Sequence, residues 1–442
     1  LLLLSCCLFV QAENGYDLWL RYVPIKNSSQ LLQYKKQLAA PVVTGTSATA
    51  AIARKELATA LTGLTGRNYN ISSTISTSST FIAGTVTSSP VLAALVTKEE
   101  RSRMGEEGFI IRSKAGKTLI TGNTDIAVLY GVFHYLRLMQ TNQQVLSLNI
   151  VSVPTMKLRM LNHWDNLDRT VERGYAGFSI WDWHRLPGYV DQRYIDYARA
   201  NASLGINAVA LTNVNANALI LTEPYLQKVK MLADVFRPYG IKVFLTARFS
   251  APIEIGRLKT ADPLNEEVQT WWKNKASEIY SFIPDFGGFL VKANSEGQPG
   301  PQDYKRTHAD GANMLANAVA PHKGIVIWRA FVYAAENPVD RHMQAYDDFV
   351  PLDGKFNDNV MVQVKNGAID FMPREPFHPL FGAMPKTPLM MEFQVTQEYL
   401  GQATNWVFLA PLFKEVLDAD TYAKGKNSTV AKVIDGSLDN HA

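Results

Sequence analysis

Two patterns of apolar and polar positions divide the chain near residue 150. From about residue 155, a short apolar run ends in polar residues and an amphipathic helical stretch follows, and this rhythm recurs along the chain. Seven apolar runs are predicted as strands: Lys157–Asn162, Ala208–Thr212, Lys242–Thr246, Gly288–Val291, Gly324–Trp328, Val360–Val364 and Pro388–Phe393. Strands that alternate with helices form parallel sheets, so residues 151–442 are predicted to form a (β/α)8 barrel.

The helices between these strands carry apolar residues along one face. Pro224–Phe236 is one such helix, and Pro263–Phe282 is expected to begin after Asp262 with proline at its first position. The stretch Asn427–Ala442 is polar where an eighth strand should begin. We therefore expect the eighth barrel unit to be missing from this chain.

Residues 13–150 lack this rhythm and are predicted to form a smaller α+β domain without catalytic residues. The predicted elements are a strand at Tyr16–Tyr22, a helix within residues 43–64, a strand at Phe81–Val86, a hairpin of Phe109–Ser113 with Lys117–Ile120, and a helix at Asp125–Met139.

Composition narrows the class of protein. The chain has 442 residues, 47% of them hydrophobic and 19% charged, with a net charge of +4 and no long Lys/Arg block, so nucleic-acid binding is not expected. Leu1–Ala12 is an apolar run that ends in a Val-Gln-Ala site, which predicts part of a signal peptide on an exported protein, periplasmic or extracellular. A lipoprotein anchored at Cys6 is the alternative, and the run is too short to span a membrane.

Charged residues collect where the predicted strands end. The carboxylates of Glu296, Asp370 and Glu398 would converge on one barrel mouth, where a general acid facing a general base could hydrolyse a glycosidic bond. Solvated loop carboxylates are the alternative interpretation.

Three cations follow the same set of strands. Lys292, Arg329 and Lys365 suggest an anionic group on the substrate, because neutral sugars are held mainly by hydrogen bonds and stacking. The alternative is that these cations pair with carboxylates of the site itself.

Other side chains bear on the type of chemistry. Trp164 leaves the first strand, and Trp181 and Trp183 in the following loop could either stack on sugars or pack within the loop. The histidines show no His-x-His or His-x-x-x-His spacing, and both cysteines lie in the leader, so no metal or other cofactor is expected.

Several motifs together resemble the α-glucuronidases of glycoside hydrolase family 67. They are Tyr16-Asp17-Leu18-Trp19-Leu20-Arg21-Tyr22, Leu161-Asn162-His163-Trp164-Asp165-Asn166, Thr212-Asn213-Val214-Asn215-Ala216, Lys292-Ala293-Asn294-Ser295-Glu296-Gly297-Gln298-Pro299-Gly300-Pro301 and Gln394-Val395-Thr396-Gln397-Glu398-Tyr399-Leu400-Gly401. They extend through almost the whole chain after the leader.

The resemblance implies inverting, metal-free release of α-1,2-linked glucuronic or 4-O-methylglucuronic acid from xylo-oligosaccharides. It implies that Glu296 is the general acid and that Asp370 and Glu398 are the candidate base pair. Substrate would be held by Lys292, Arg329 and Lys365 at the uronate, with Trp164 and Val214 lining the sugar pocket. It also implies a helical C-terminal domain that forms homodimers.

Two rival functions stay open on the sequence. One is a hexosaminidase-type barrel, although that chemistry usually has Asp directly before the acid and here Ser295 precedes Glu296. The other is an exported xylan-binding protein without turnover.

Overall fold

The computed structural model describes residues 14–172, 177–294, 297–331, 340–372, 374–395 and 408–438, and the chain divides into two compact units, residues 1–154 and 155–442. The strands are β1 (Pro41–Val43), β2 (Phe81–Thr85), β3 (Phe109–Lys114), β4 (Lys117–Gly122), β5 (Asn149–Ser152), β6 (Met160–Asn162), β7 (Ala208–Ala210), β8 (Lys242–Thr246), β9 (Gly288–Val291), β10 (Ile325–Arg329), β11 (Val360–Lys365) and β12 (Leu389–Glu392).

The α-helices are α1 (Ser28–Gln37), α2 (Ala48–Thr65), α3 (Pro90–Ala93), α4 (Lys98–Met104), α5 (Asp125–Gln140), α6 (Gln192–Ser203), α7 (Glu223–Phe236), α8 (Ala251–Glu254), α9 (Glu266–Phe282), α10 (His308–Val319), α11 (Arg341–Phe349), α12 (Ala410–Asp418) and α13 (Val430–Ile434). Short 3-10 helices lie at Leu18–Arg21, Ala218–Leu221, Arg237–Tyr239, Pro301–Tyr304, Ala320–His322 and Val350–Leu352.

The first unit is a mixed five-stranded sheet of order β1-β2-β4-β3-β5. β3 and β4 form the predicted hairpin, and β5 extends it antiparallel to β3. Helices α2 and α5 pack together, and α5 lies against β3 and β4. That approach is close, because a Cβ added at Gly131 would lie 2.6 Å from the Ile120 side chain.

The second unit contains seven parallel strands paired in sequence order from β6 to β12. Seven strands were predicted at these places, and their existence and order are confirmed, with ends that differ by up to three residues. Sequential pairing of parallel strands that alternate with helices is the arrangement found in strand–helix barrels.

The parallel sheet curls around a shared interior. Residues of β7, β8, β9 and β10 form one hydrophobic cluster, against which Met160 of β6 and Met390 of β12 also pack. A cavity of about 400 Å³ is lined by both of these strands, and no ladder joins them among the described residues. The unit is therefore a curled, parallel, barrel-like sheet.

One predicted element is wrong, and one predicted helix is confirmed with a different first residue. Tyr16–Tyr22 is not a strand, because Leu18–Arg21 forms a single 3-10 helix that ends where Tyr22 adopts a left-handed conformation. The helix predicted from Pro263 begins at Glu266, because Asn265 is the residue whose side chain accepts from the first free amides. Asp262 instead pairs with Arg306 at 3.1 Å.

The structure contains no helix, within its described residues, that is long and apolar enough to cross a bilayer. The predicted leader, residues 1–12, lies outside them.

Candidate active site

The interior positions of the parallel strands change character toward their carboxyl ends. Successive side chains on a strand point to opposite faces, so residues two apart share a face. The hydrophobic cluster includes Leu290 and Ile327, and two residues further along come Lys292 and Arg329. Likewise, Glu392 stands two residues after Met390, which packs on the cluster. Charged groups thus form a layer on top of an apolar one at the barrel mouth.

Three cations of this layer converge on one aromatic ring. From the centroid of Phe331, the distance is 4.3 Å to Lys292 Nζ, 5.0 Å to Arg329 Cζ and 5.3 Å to Lys365 Nζ. They come from β9, β10 and β11, whose parallel pairing brings consecutive strand ends side by side. The three predicted cations therefore lie around the same aromatic side chain at the barrel mouth.

Arg329 is fully buried and fixed by two carboxylates. Its Nε donates to Glu392 Oε2 at 2.7 Å, and its Nη2 donates to Asp370 Oδ1 at 2.8 Å. Burial alone would lower the pKa of Arg329, but the negative charges of Glu392 and Asp370 outweigh that effect and raise it. The guanidinium is therefore permanently charged and held in one orientation.

Asp370 receives three donors on a single oxygen. Oδ1 accepts from Arg329 and from Gln394 Nε2, each at 2.8 Å, and lies 3.4 Å from Lys365 Nζ. Burial would raise the pKa of Asp370, but the charges of Arg329 and Lys365 outweigh it and hold the pKa well below the ordinary value. Asp370 is therefore an ionised carboxylate.

For Lys365, the effect of burial on the pKa outweighs that of the neighbouring charges. Burial lowers the pKa of its ammonium, and the neighbouring Asp370 only partly opposes this. Two of the three predicted cations thus pair with carboxylates of the site, as the alternative interpretation expected.

The other side of the mouth is built from amides. Lys292 Nζ donates to Asn215 Oδ1 at 2.7 Å, and Asn215 Nδ2 donates to Glu172 Oε2 at 2.9 Å. Asn213 Nδ2 donates to the same Glu172 oxygen at 2.5 Å. Glu172, Asn213 and Asn215 line a polar cavity of about 450 Å³ at the ends of β6, β7 and β8.

The two predicted pocket residues lie on the same interior cluster. Val214 is 1% exposed and belongs to that cluster, and Trp164 packs against it. The Trp164 ring lies 5.5 Å from Arg329 Cζ and contacts Phe371 edge-on at 5.3 Å. Trp164 is thereby next to the cation layer.

Trp181 and Trp183 do not form a sugar platform. They are 0% and 1% exposed, and Trp181 packs among His163, Tyr197 and Phe236. The loop-packing interpretation of these two residues is correct.

Two of the predicted catalytic carboxylates, Glu296 and Glu398, lie outside the described residues. On either side of residues 295–296, Asp303 Oδ2 accepts from Asn294 Nδ2 and from the Gly300 amide, both at 2.7 Å.

Sequence reasoning did not assign roles to Glu392 and Glu172. Glu392 could have been found, because it stands two residues after an interior methionine at the end of its strand. Glu172 gave no such signal, because its partners Asn213 and Asn215 are 41 and 43 positions away.

Comparison with known proteins gives concordant matches. Alpha-glucuronidase A of Emericella nidulans is 41% identical over 454 residues, covering 98% of this chain and 53% of that relative. The Alpha-glucuronidase of Hypocrea jecorina is 39% identical over 460 residues, covering 100% of this chain and 54% of that relative. The chain thus spans about half the length of the curated relatives it matches.

A solved structure, CpGH84B, is similar at the level of fold, with a TM-score of 0.51 at 13% identity, covering 90% of this chain and 67% of that one. The model described as Glycosyl hydrolase family 67 N-terminus matches residues 18–135. The model described as Glycosyl hydrolase family 67 middle domain matches residues 138–442. Because the second model alone matches more than half of the sequence, the resemblance is confirmed and the chain belongs to glycosyl hydrolase family 67.

Proposed function

We propose that this protein is an α-glucuronidase that releases α-1,2-linked glucuronic or 4-O-methylglucuronic acid from xylo-oligosaccharides. The observation that carries the proposal is that Lys292, Arg329 and Lys365 gather around one side chain, Phe331, at the barrel mouth. A carboxylate is the sugar substituent that such a cluster would recognise. The relatives named Alpha-glucuronidase support the same substrate class.

The proposed roles follow from the contacts of the site. Lys292, Arg329 and Lys365 hold the uronate, and Trp164 and Val214 line the sugar pocket. Glu296 is the general acid that protonates the leaving xylose oxygen, while Asp370 with Glu398 activates water on the opposite face of the sugar. Asp370 suits this role because it is ionised and fixed by Gln394 and Arg329.

Turnover of two matched substrates tests the substrate class. Wild-type full-length protein should hydrolyse α-glucuronosyl xylobiose far faster than α-glucosyl xylobiose, because the neutral sugar has no carboxylate that the three cations could contact. Equal kcat/KM on both substrates would contradict the proposed uronate site. Binding of aldouronic acids without any turnover would favour the non-catalytic alternative.

Stereochemistry tests the reaction. An inverting enzyme releases β-glucuronic acid first from the α-linked substrate, and proton NMR of the earliest product distinguishes the anomers. An α-anomer as first product would show that the mechanism retains configuration.

We further propose that the curled sheet is part of a (β/α)8 barrel closed by an eighth unit between β6 and β12. An apolar cavity of about 780 Å³, lined from both strands and from residues near α12 and α13, supports this. Open strand edges promote aggregation, so residues 13–442 expressed alone should aggregate, whereas a chain that includes the eighth unit should be soluble. A monomeric 13–442 protein with a cooperative melt would contradict closure by a further unit.

Export and dimer formation are likewise proposals. Export, to the periplasm or outside the cell, rests on the apolar run Leu1–Ala12, and N-terminal sequencing of the mature protein should begin at Glu13. A homodimer is expected only through a helical C-terminal domain, so light scattering of the full-length protein should show two copies.

A further inference from the structure

A hydrogen-bonded relay connects the cation layer to a carboxylate that has no role in the proposed reaction. Lys292 Nζ donates to Asn215 Oδ1 at 2.7 Å. Asn215 Nδ2 donates to both oxygens of Glu172, at 3.1 and 2.9 Å. Glu172 therefore reaches Lys292 through one intervening side chain.

The relay has only one chemically consistent direction. The ammonium of Lys292 has donors and no acceptor, and the ionised carboxylate of Glu172 has acceptors and no donor. The amide of Asn215 between them must therefore turn its oxygen toward the lysine and its NH2 toward the glutamate. If the amide were reversed, its NH2 group would face the Lys292 ammonium, so that two donors met. Its oxygen would then face the Glu172 carboxylate, so that two acceptors met.

Glu172 is itself held on two sides. Its backbone amide donates to the Trp164 carbonyl at 2.9 Å, and its Oε2 accepts from Asn213 Nδ2 at 2.5 Å. Asn213 Oδ1 in turn accepts from the Asn215 backbone amide at 3.0 Å. Glu172 is thus held at the ends of β6 and β7.

We propose that Glu172 is a positioning residue that orients Asn215 and, through it, holds the Lys292 ammonium ready for the substrate carboxylate. This inference rests on the proposed uronate-binding role of Lys292. A lysine side chain has four flexible carbons that lose rotamer entropy when it is ordered, so fixing it before binding increases affinity. Arg329 needs no such relay, because Glu392 and Asp370 contact it directly.

Two substitutions at Glu172 separate orientation from charge. Glu172→Gln removes the charge but keeps an oxygen that can accept from Asn215, whereas Glu172→Met removes both. Asp168→Asn is the matched control, because Asp168 lines the same cavity but accepts from Thr170 of its own turn.

The expected result in the full-length protein is a change of KM rather than of kcat. Glu172→Met should raise KM for α-glucuronosyl xylobiose by about 10- to 100-fold, as for the loss of a hydrogen bond to a charged group, with kcat changed much less. Glu172→Gln should restore most of the loss, and Asp168→Asn should resemble wild type. Weak turnover of the neutral α-glucosyl substrate should stay the same in all three variants.

Each other outcome overturns the inference. Equal losses in Glu172→Gln and Glu172→Met would show that Glu172 acts by charge alone. Parallel losses of kcat on both substrates, with a lowered melting temperature, would show a structural role only. Wild-type protein without preference for the uronate would instead contradict the proposed function.

Crystal structures of the two variants test the relay without any substrate. Lys292 Nζ should remain on Asn215 in Glu172→Gln and should leave it in Glu172→Met. An unmoved Lys292 in Glu172→Met would refute the positioning role whatever the kinetics show.

Discussion

The lower and upper layers of the barrel interior differ in chemistry although they lie on the same faces of the same strands. Leu290 and Ile327 belong to the lower, apolar cluster, whereas Lys292 and Arg329 stand two residues further along in the upper, charged layer. One change of residue type per strand thus converts packed core into a candidate active site. The lower layer supplies the rigid support that precise placement of charges requires.

The two layers also contribute differently to stability. Burial of apolar side chains stabilises the lower layer, at roughly 25 cal/mol per Å² removed from water. In the upper layer, burial of charge is unfavourable, and pairs such as Arg329 with Glu392 only offset it. Substitutions in the lower layer should therefore change mainly stability, whereas removing one partner of a buried charged pair in the upper layer should change activity as well as stability.

The largest expected effect is loss of a carboxylate that is proposed to be catalytic. Asp370→Ala should reduce kcat by about 10²–10⁴-fold, the usual contribution of a general base. The loss should be similar on xylosyl and nitrophenyl leaving groups, because water must be activated for both. Glu398→Ala should behave in the same way.

Glu296→Ala is the contrasting variant. It should lose far more activity on a xylose leaving group than on nitrophenol, which departs without a proton. Equal losses of activity on both leaving groups would show that Glu296 is not the general acid.

The next effect concerns the uronate contact. Arg329→Ala should cost about 2–5 kcal/mol in transition-state binding, measured from kcat/KM on α-glucuronosyl xylobiose. Arg329→Lys keeps the charge but cannot contact Glu392 and Asp370 together, so it should recover only part of the loss. Full activity of Arg329→Ala would show that this cation does not bind substrate.

In the lower layer, Leu290→Ala should lower the free energy of unfolding by about 2–5 kcal/mol, because it leaves a cavity in the core. KM should stay close to wild type. Leu264→Ala is the control, because Leu264 is half exposed and should change stability by less than about 0.5 kcal/mol. A large change of KM with unchanged stability in Leu290→Ala would contradict the claim that the lower layer contributes to stability and not to substrate binding.

The smallest expected effect is on the pH dependence of the free energy of unfolding. Because the pKa of Asp370 is lower in the folded than in the unfolded state, the ionised group stabilises the fold above its unfolded pKa of about 3.9. That contribution disappears as the pH falls through the folded pKa. The difference in unfolding free energy between wild type and Asp370→Asn should therefore be flat from pH 7 to about 5 and shrink below about 4. Urea titrations at several pH values measure it, and a difference that shrank near pH 6 would contradict the assigned shift.

The sequence allowed much of the second unit to be predicted, because its strands are continuous apolar runs that end in polar residues. The cations Lys292, Arg329 and Lys365 were found for the same reason. The errors arose where the structure depends on contacts between residues that are far apart in the sequence. Asp262 pairs with Arg306 rather than capping a helix, and Glu172 contacts amides more than 40 positions away. Local patterns carry no information about such contacts.

The central claim is that the upper layer recognises a carboxylate, and a crystal structure of the full-length protein with glucuronic acid tests it most directly. The account predicts that the sugar carboxylate lies within hydrogen-bonding distance of Lys292, Arg329 and Lys365. A sugar bound with its carboxylate directed away from all three cations would contradict the account.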